Sequence, residues 1–173
     1  MTNYKSDLKK ITTFIFDYDG VLTDGTVILQ PDGDALRTAY VKDGYALQLA
    51  VRLGYNVVII SGGKSLSMNK RFESLKINDF FLGVSDKLHV FEDYLKKKEI
   101  KPEEVLYMGD DLPDYMAMQK AGLPCCPADA SPEIKAISAY ISNHPGGRGC
   151  VRDVIEQTLK VQGKWMTDEG FSW

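Results

Sequence analysis

No stretch of this sequence approaches the roughly 18 consecutive apolar residues that a membrane-crossing helix requires. Cysteine is scarce: Cys125, Cys126 and Cys150 form an odd set without disulfide or zinc-finger spacing, which reads as reduced structural thiols. Histidine is scarcer still, and His89 and His144 stand far apart, as surface or packing residues rather than ligands or bases. An excess of positive charge is also missing. The 21 Lys and Arg against 24 Asp and Glu leave a net charge of −3, which offers no general attraction for nucleic acid or an anionic membrane. An anionic substrate must therefore be met by a local cluster of donors or a bound cation. Residues Met1 to Lys10 hold no apolar secretion-signal core, so a cytoplasmic location is expected. No repeat, low-complexity tract or interdomain linker is visible. The 173 residues suit one domain, expected over 1–161 with a tail at 162–173.

Short apolar runs alternate with helical patterns. Thr12 to Phe16, Asn56 to Ile60 and Val105 to Met108 read as strands buried on both faces, with Leu123 to Cys126 and Ala139 to Ile141 as weaker candidates. Helices are predicted between them: one capped by Asp43 and closed by Gly54, then Ser65 to Leu75, Lys87 to Lys98, Pro113 to Ala121, and Gly149 to Val161. Such alternation predicts an α/β, Rossmann-like parallel sheet with helices on both faces. One stretch breaks the rhythm. Val27 to Gln30 and Leu36 to Tyr40 flank Asp32-Gly33, which predicts a β-hairpin over about 26–41, just after the first strand.

Four polar clusters each follow a predicted strand, and in an open parallel sheet those positions converge on one crevice. In Asp17-Tyr18-Asp19-Gly20-Val21-Leu22-Thr23, two carboxylates at a strand exit would repel unless a hard cation such as Mg²⁺ joined them. Ser61-Gly62-Gly63 offers a hydroxyl and glycine N–H groups to an anion. Gly63-Lys64-Ser65 matches the end of a nucleotide P-loop, but the earlier glycine position holds Val58, so that motif fails. Lys87 opens a helix against the helix dipole, a cost that favours a functional role. Gly109-Asp110-Asp111-Leu112-Pro113-Asp114 places three carboxylates between a strand and a helix; capping explains one, and a metal site explains the group.

In this order and spacing the clusters resemble the signature of the haloacid dehalogenase-like phosphotransferases. The gaps from Asp17 to Ser61 and from Ser61 to Lys87 leave no room for a cap domain. Together with Asp43-Gly44-Tyr45, Ala128-Asp129-Ala130 and the segment Pro145 to Arg152, this resembles the cap-less 3-deoxy-D-manno-octulosonate 8-phosphate phosphatase family. Typical members carry a basic residue directly after the first glycine of the second cluster; this chain has Gly63 there, with Lys64 next.

The resemblance implies a cytoplasmic, homotetrameric hydrolase on the route to lipopolysaccharide. It would act on a small sugar-acid phosphate through an aspartyl phosphate on Asp17. Asp19 would be the acid and base, Mg²⁺ would bind Asp17, the Asp19 carbonyl and Asp110, and Asp111 and Asp114 would orient waters or Lys87. Ser61, Gly62 and Lys87 would hold the phosphoryl group, and Lys64 or Arg148 the substrate carboxylate. A nine-carbon keto-sugar-acid phosphate, another small phosphate and a phosphoprotein stay open as substrates. A non-catalytic oligomerisation module and a phospho-accepting receiver are the rivals of another class. The tail's Trp165, Phe171 and Trp173 could pack on their own domain or on a neighbour.

Overall fold

In the computed structural model residues 4–173 are described; the first three, where the segment read for a leader begins, lie outside the described residues. After a short helix α1 (Tyr4–Leu8), the chain forms β1 (Thr13–Phe16), the hairpin strands β2 (Ile28–Leu29) and β3 (Ala35–Leu36), and α2 (Val41–Arg52). Next come β4 (Asn56–Ile60), α3 (Leu66–Ser74), β5 (Asp79–Phe81), α4 (Lys87–Lys98) and β6 (Val105–Met108). The last elements are α5 (Tyr115–Lys120), β7 (Leu123–Cys126), α6 (Pro132–Ile137), β8 (Tyr140–Ile141) and α7 (Cys150–Val161).

The main sheet has six strands in the order β5-β4-β1-β6-β7-β8, and every pairing in it is parallel. The chain leaves β1 toward β4 and β5, then returns to its other side for β6. The reversal at β1 opens the crevice in which such sheets bind ligands. The strands alternate their side chains between two cores. Phe14, Phe16, Val57, Ile59, Leu106 and Met108 pack with Leu47, Ala50, Val151 and Ile155 of α2 and α7. Ile15, Val58, Ile60, Val105 and Tyr107 pack with Phe91, Leu95, Met118 and Ile134 of α4 to α6. The predicted α/β sheet with helices on both faces is the observed architecture, and no cap domain interrupts it.

Three local expectations need correction. Asp43 does not cap its own helix: Tyr40 occupies the N-cap position of α2. The Asp43 carboxylate instead accepts the N–H groups of Gly149 (3.2 Å) and Arg152 (2.7 Å) at the start of α7, so a cap-type residue serves a helix distant in sequence. The hairpin strands are two residues each, shorter than the alternation suggested, because this ribbon has no sheet to extend. Its loop spans Gln30 to Asp34, with Gly33 N–H on the Gln30 carbonyl and the Gln30 N–H on the Asp34 carbonyl. Finally, Leu112–Asp114 is a separate 3₁₀ turn, and α5 begins only at Tyr115.

The tail lies against its own domain. The Tyr45 hydroxyl donates to the Gly170 carbonyl, Arg52 Nη2 donates to the Ser172 carbonyl at 2.8 Å, and the Tyr45 and Trp173 rings meet edge to face at 5.4 Å. Gln162 is tied in more deeply, its amide donating to the carbonyls of Leu8 and Ile11 at 2.8 Å each.

Candidate active site

Four neighbouring strands deliver the site. The ladder of β1 continues one residue past the strand, with Asp17 N–H donating to the Met108 carbonyl at 3.0 Å. That pins the backbone of Asp17 between β1 and β6. Gly20 takes φ +90°, turning the chain back over the site. The turn is buttressed from outside: a Cβ on Gly146 would lie 1.9 Å from the Gly20 carbonyl oxygen, and Gly147 N–H donates to the Val21 carbonyl at 2.9 Å. The glycines of the 146–149 segment thus let two loops touch at the backbone.

Lys87 is the first residue of α4, whose N-cap is Asp86, accepting from His89 N–H. Its side chain is buried and reaches across to β1. The ammonium lies 2.8 Å from Asp17 Oδ1 and 2.8 Å from Asp114 Oδ1. Tyr107, on β6, donates its hydroxyl to the same Asp114 oxygen at 3.0 Å, while Asp17 Oδ1 also accepts the Tyr18 N–H at 2.7 Å. Carboxylate oxygens of Asp17, Asp110 and Asp114 lie within 4.8 Å of one another. Burial pushes the Asp110 carboxyl up to about 6, with the Asp114 charge adding to it. Burial, then the Asp114 charge, raises Asp17 in the same direction while Lys87 pulls it back. Burial works against the Lys87 ammonium, but Asp114 and Asp17 more than offset this and hold it above the ordinary lysine value. Three carboxylates therefore share one cation of the chain's own. All the donors are hard oxygens, so the deficit fits a hard divalent ion.

Ser61 follows β4, fully buried, and its Oγ accepts the Gly63 N–H at 3.1 Å. With Asp17, Asp19, Gly62, Lys87, Asp110, Asp111 and Asp114 it lines one open cavity of about 460 Å³. Lys64 and Arg148 do not line it. Lys64 borders a separate hollow beside Phe80 and Leu82, and Arg148 lies 3.7 Å from Asp24 on the rim of a hollow beside α7.

Two residues here were not foreseen. Tyr107 reads from the sequence only as part of a buried strand; its hydroxyl, which needs a partner in the interior, is the signal. The other is Arg37 at the end of the hairpin. Its Nε donates to Asp19 Oδ1 at 2.6 Å and its Nη2 to Asp19 Oδ2 at 2.9 Å. No motif in the sequence marks that arginine.

Residues 79–152 match the haloacid dehalogenase-like hydrolase family. The chain is 39% identical over 163 residues to the 3-deoxy-D-manno-octulosonate 8-phosphate phosphatase KdsC of Salmonella typhi, covering 94% of this chain and 87% of the relative. Among solved structures, the Moraxella catarrhalis 3-deoxy-D-manno-octulosonate 8-phosphate phosphatase, in complex with magnesium, phosphate and KDO, superposes with TM-score 0.91 at 34% identity, covering 95% of each chain. The cobalt-bound Haemophilus influenzae deoxy-D-mannose-octulosonate 8-phosphate phosphatase gives 0.90 at 32% identity, covering 95% of this chain and 98% of the other. With that identity over nearly its whole length, and a cap-less parallel fold carrying the four clusters on one crevice, this chain belongs to the 3-deoxy-D-manno-octulosonate 8-phosphate phosphatase family of haloacid dehalogenase-like hydrolases.

Proposed function

We propose that the chain hydrolyses 3-deoxy-D-manno-octulosonate 8-phosphate in the cytoplasm, on the route to lipopolysaccharide, through a phospho-aspartate on Asp17. The observation that carries this reading is the convergence of Asp17, Lys87, Ser61, Gly62 and Asp110 on one cavity. A Moraxella catarrhalis relative of the same fold, solved with magnesium, phosphate and KDO, supports the substrate and the metal. Mg²⁺ would be held by the Asp17 and Asp110 carboxylates and the Asp19 carbonyl, and when bound it neutralises charge on the phosphoryl oxygens.

The remaining chemistry belongs to the chain. The free Asp17 oxygen attacks phosphorus, the ester P–O bond breaks, and Asp19 gives its proton to the departing alkoxide. Asp19 then takes a proton from water as that water attacks phosphorus, releasing inorganic phosphate and restoring Asp17. Lys87, held by Asp17 and Asp114, joins Ser61 and the Gly62 N–H in fixing the phosphoryl oxygens. Most of the acceleration then comes from positioning and fixed charge. Lys64 and Arg148, which the resemblance offers for the substrate carboxylate, lie outside this cavity, so they would meet a substrate only where it extends beyond the rim.

The open side also bears on assembly. Ile28 is 57% and Leu29 78% exposed, with Val27 and Leu36 also exposed beside them. This apolar hairpin is the proposed contact of a homotetramer in which a neighbour walls the sugar end of the site.

The test is a kinetic panel with Mg²⁺, read as kcat/KM. The eight-carbon sugar-acid phosphate should exceed glucose 6-phosphate and nucleotides by about 10²-fold, the scale of one hydrogen bond to a charged group. Asp17→Asn should remove turnover without unfolding the protein, and rapid quenching of the wild type should leave phosphate on Asp17. A panel led by glucose 6-phosphate, or label on another residue, would overturn the reading. A panel led by the nine-carbon acid would reassign the substrate.

A further inference from the structure

The hollow beside α7 has a volume of about 510 Å³ and shares no lining residue with the catalytic cavity. Lys42 near the start of α2, Arg148 on the loop before α7, and Arg152 and Lys160 on α7 bring four cations to its wall. Two carboxylates, Asp153 and Glu156, share that wall, and both are already engaged. Asp153 Oδ2 accepts the Tyr140 hydroxyl at 2.8 Å and the Ser142 hydroxyl at 2.6 Å, and its Oδ1 accepts the Gln157 amide at 2.8 Å. Glu156 accepts Arg152 Nε at 3.2 Å and Lys160 Nζ at 2.6 Å. The Lys42 ammonium has no hydrogen-bond or ion-pair partner among the described residues. Arg148 is 62% exposed, with Asp24 no nearer than 3.7 Å.

We propose that this hollow is a second anion site, which takes a small phosphorylated molecule. Four cations against two carboxylates leave an excess of two positive charges, in a chain whose net charge is −3. Like charges gathered on one wall repel, and a dianion between them relieves that repulsion. Guanidinium forks and ammonium donors both suit phosphate oxygens. The pull on the anion comes from these side chains and not from the start of α7, because Asp43 already takes the N–H groups of Gly149 and Arg152. Lys42 and Arg148 stand on different segments, so a phosphate that engages both ties the start of α2 to the loop before α7. The volume lies within the roughly 300–1,000 Å³ of small-molecule sites, which leaves space beside Tyr40 and Tyr140 for the organic body of the ligand. The bound phosphate is not hydrolysed there, since neither carboxylate of the hollow is free to attack it.

The test uses inorganic phosphate as the probe, on the full chain with EDTA present. Without Mg²⁺ the catalytic cavity sets Asp17, Asp19, Asp110, Asp111 and Asp114 against Lys87 and repels an anion. The chain has two tryptophans, and the Arg152 guanidinium lies 5.3 Å from the centre of the Trp165 ring. In a Trp173→Phe background the emission of Trp165 therefore reports on the hollow. Phosphate added at ionic strength held constant with chloride should change that emission saturably. Lys42→Ala should weaken the binding about tenfold, the scale of one hydrogen bond to a charged group, whereas Ser61→Ala in the catalytic cavity should leave it unchanged. Neither measurement involves turnover, so the site stands or falls apart from the phosphatase reading. The same response to chloride alone, an unchanged affinity in Lys42→Ala, or a loss in Ser61→Ala would overturn the site. Succinate binding more tightly than phosphate would overturn the assignment of a phosphorylated ligand.

Discussion

At Asp110, burial and the neighbouring Asp114 charge push the carboxyl up to about 6, above the roughly 3.9 of a free aspartate in an unfolded chain. The folded protein thus holds this proton more tightly than the unfolded one. Without metal, its contribution to stability is largest below about pH 4 and is lost as pH rises toward about 6. Mg²⁺ binds the ionised cluster and competes with that proton, so its stabilising effect should follow the opposite course. Adding Mg²⁺ at about a hundredfold over its Kd should contribute about 2.7 kcal/mol near pH 7.5, and much less near pH 5. Thermal melts with and without Mg²⁺ at the two pH values measure this. Asp110→Asn should flatten the pH dependence and lose most of the Mg²⁺ effect. A Mg²⁺ shift equal at both pH values would reject Asp110 as a ligand that titrates in this window. Tyr107 sharpens the same picture: burial, then the Asp114 charge, drives its hydroxyl well above its ordinary value, so it stays a neutral donor that holds Asp114 on Lys87.

Among the elements, α2 and α7 show how the fold secures the loops around the site. Asp43, in the first turn of α2, is almost fully buried and satisfies two N–H groups at the start of α7. Those groups are among the helix's unpaired amino-terminal donors, which otherwise would have no partner in the interior. The segment just before α7 is the one that presses on the Gly20 turn through Gly146. Asp43→Ala should therefore cost about 1–2 kcal/mol, the range for a lost helix cap, measured as a lower urea midpoint. It should also lower kcat, although Asp43 lies outside the site cavity, because the buttress behind Asp19 loosens. An unfolding midpoint unchanged by the substitution would show that the two N–H groups find other partners. The hairpin and the helix ends were partly readable from the chain. Asp32-Gly33 marked the turn, and α4 runs over the predicted Lys87–Lys98. Strand length was not readable, since it depends on whether a neighbouring strand exists. The helix α6 passed unnoticed because its six residues are too few to show a period.

For the molecule as a whole, the cavity is open, with no cap domain over it among the described residues. Exposed apolar residues cluster on the hairpin and at the tail, where Met166, Phe171 and Trp173 are each about two-thirds exposed, with Val41, Leu66, Leu112, Met116 and Ile141 exposed elsewhere. The tail already has partners on its own domain in Tyr45 and Arg52, whereas the hairpin's outward residues Ile28 and Leu29 pair only with β3. Assembly should therefore run through the hairpin. Light scattering coupled to gel filtration should give four subunits, and Leu29→Asp should reduce that number. The same variant should raise KM for the sugar-acid phosphate severalfold while leaving an aryl phosphate less affected, as expected of the proposed neighbour's wall at the sugar end. A wild-type monomer fully active at assay concentration would end the idea.

The order of Asp17, Ser61, Lys87 and Asp110 along the chain was enough to read the reaction class. Asp17 and Ser61 directly follow buried strands, Asp110 comes one residue later after another and Lys87 opens a helix, and a parallel sheet brings the carboxyl ends of its strands together whatever the details of packing. The absence of a cap domain was likewise a matter of spacing. The partners of Arg37 and Asp43 are of another kind. Each is set by where two distant segments come to rest, 106 residues apart for Asp43 and Gly149. A side chain's partner across the fold leaves no period, spacing or turn signal in the sequence. Even the basic residue missing at position 63 could only be noted, until packing showed that the glycine there makes room for the arginine of the hairpin.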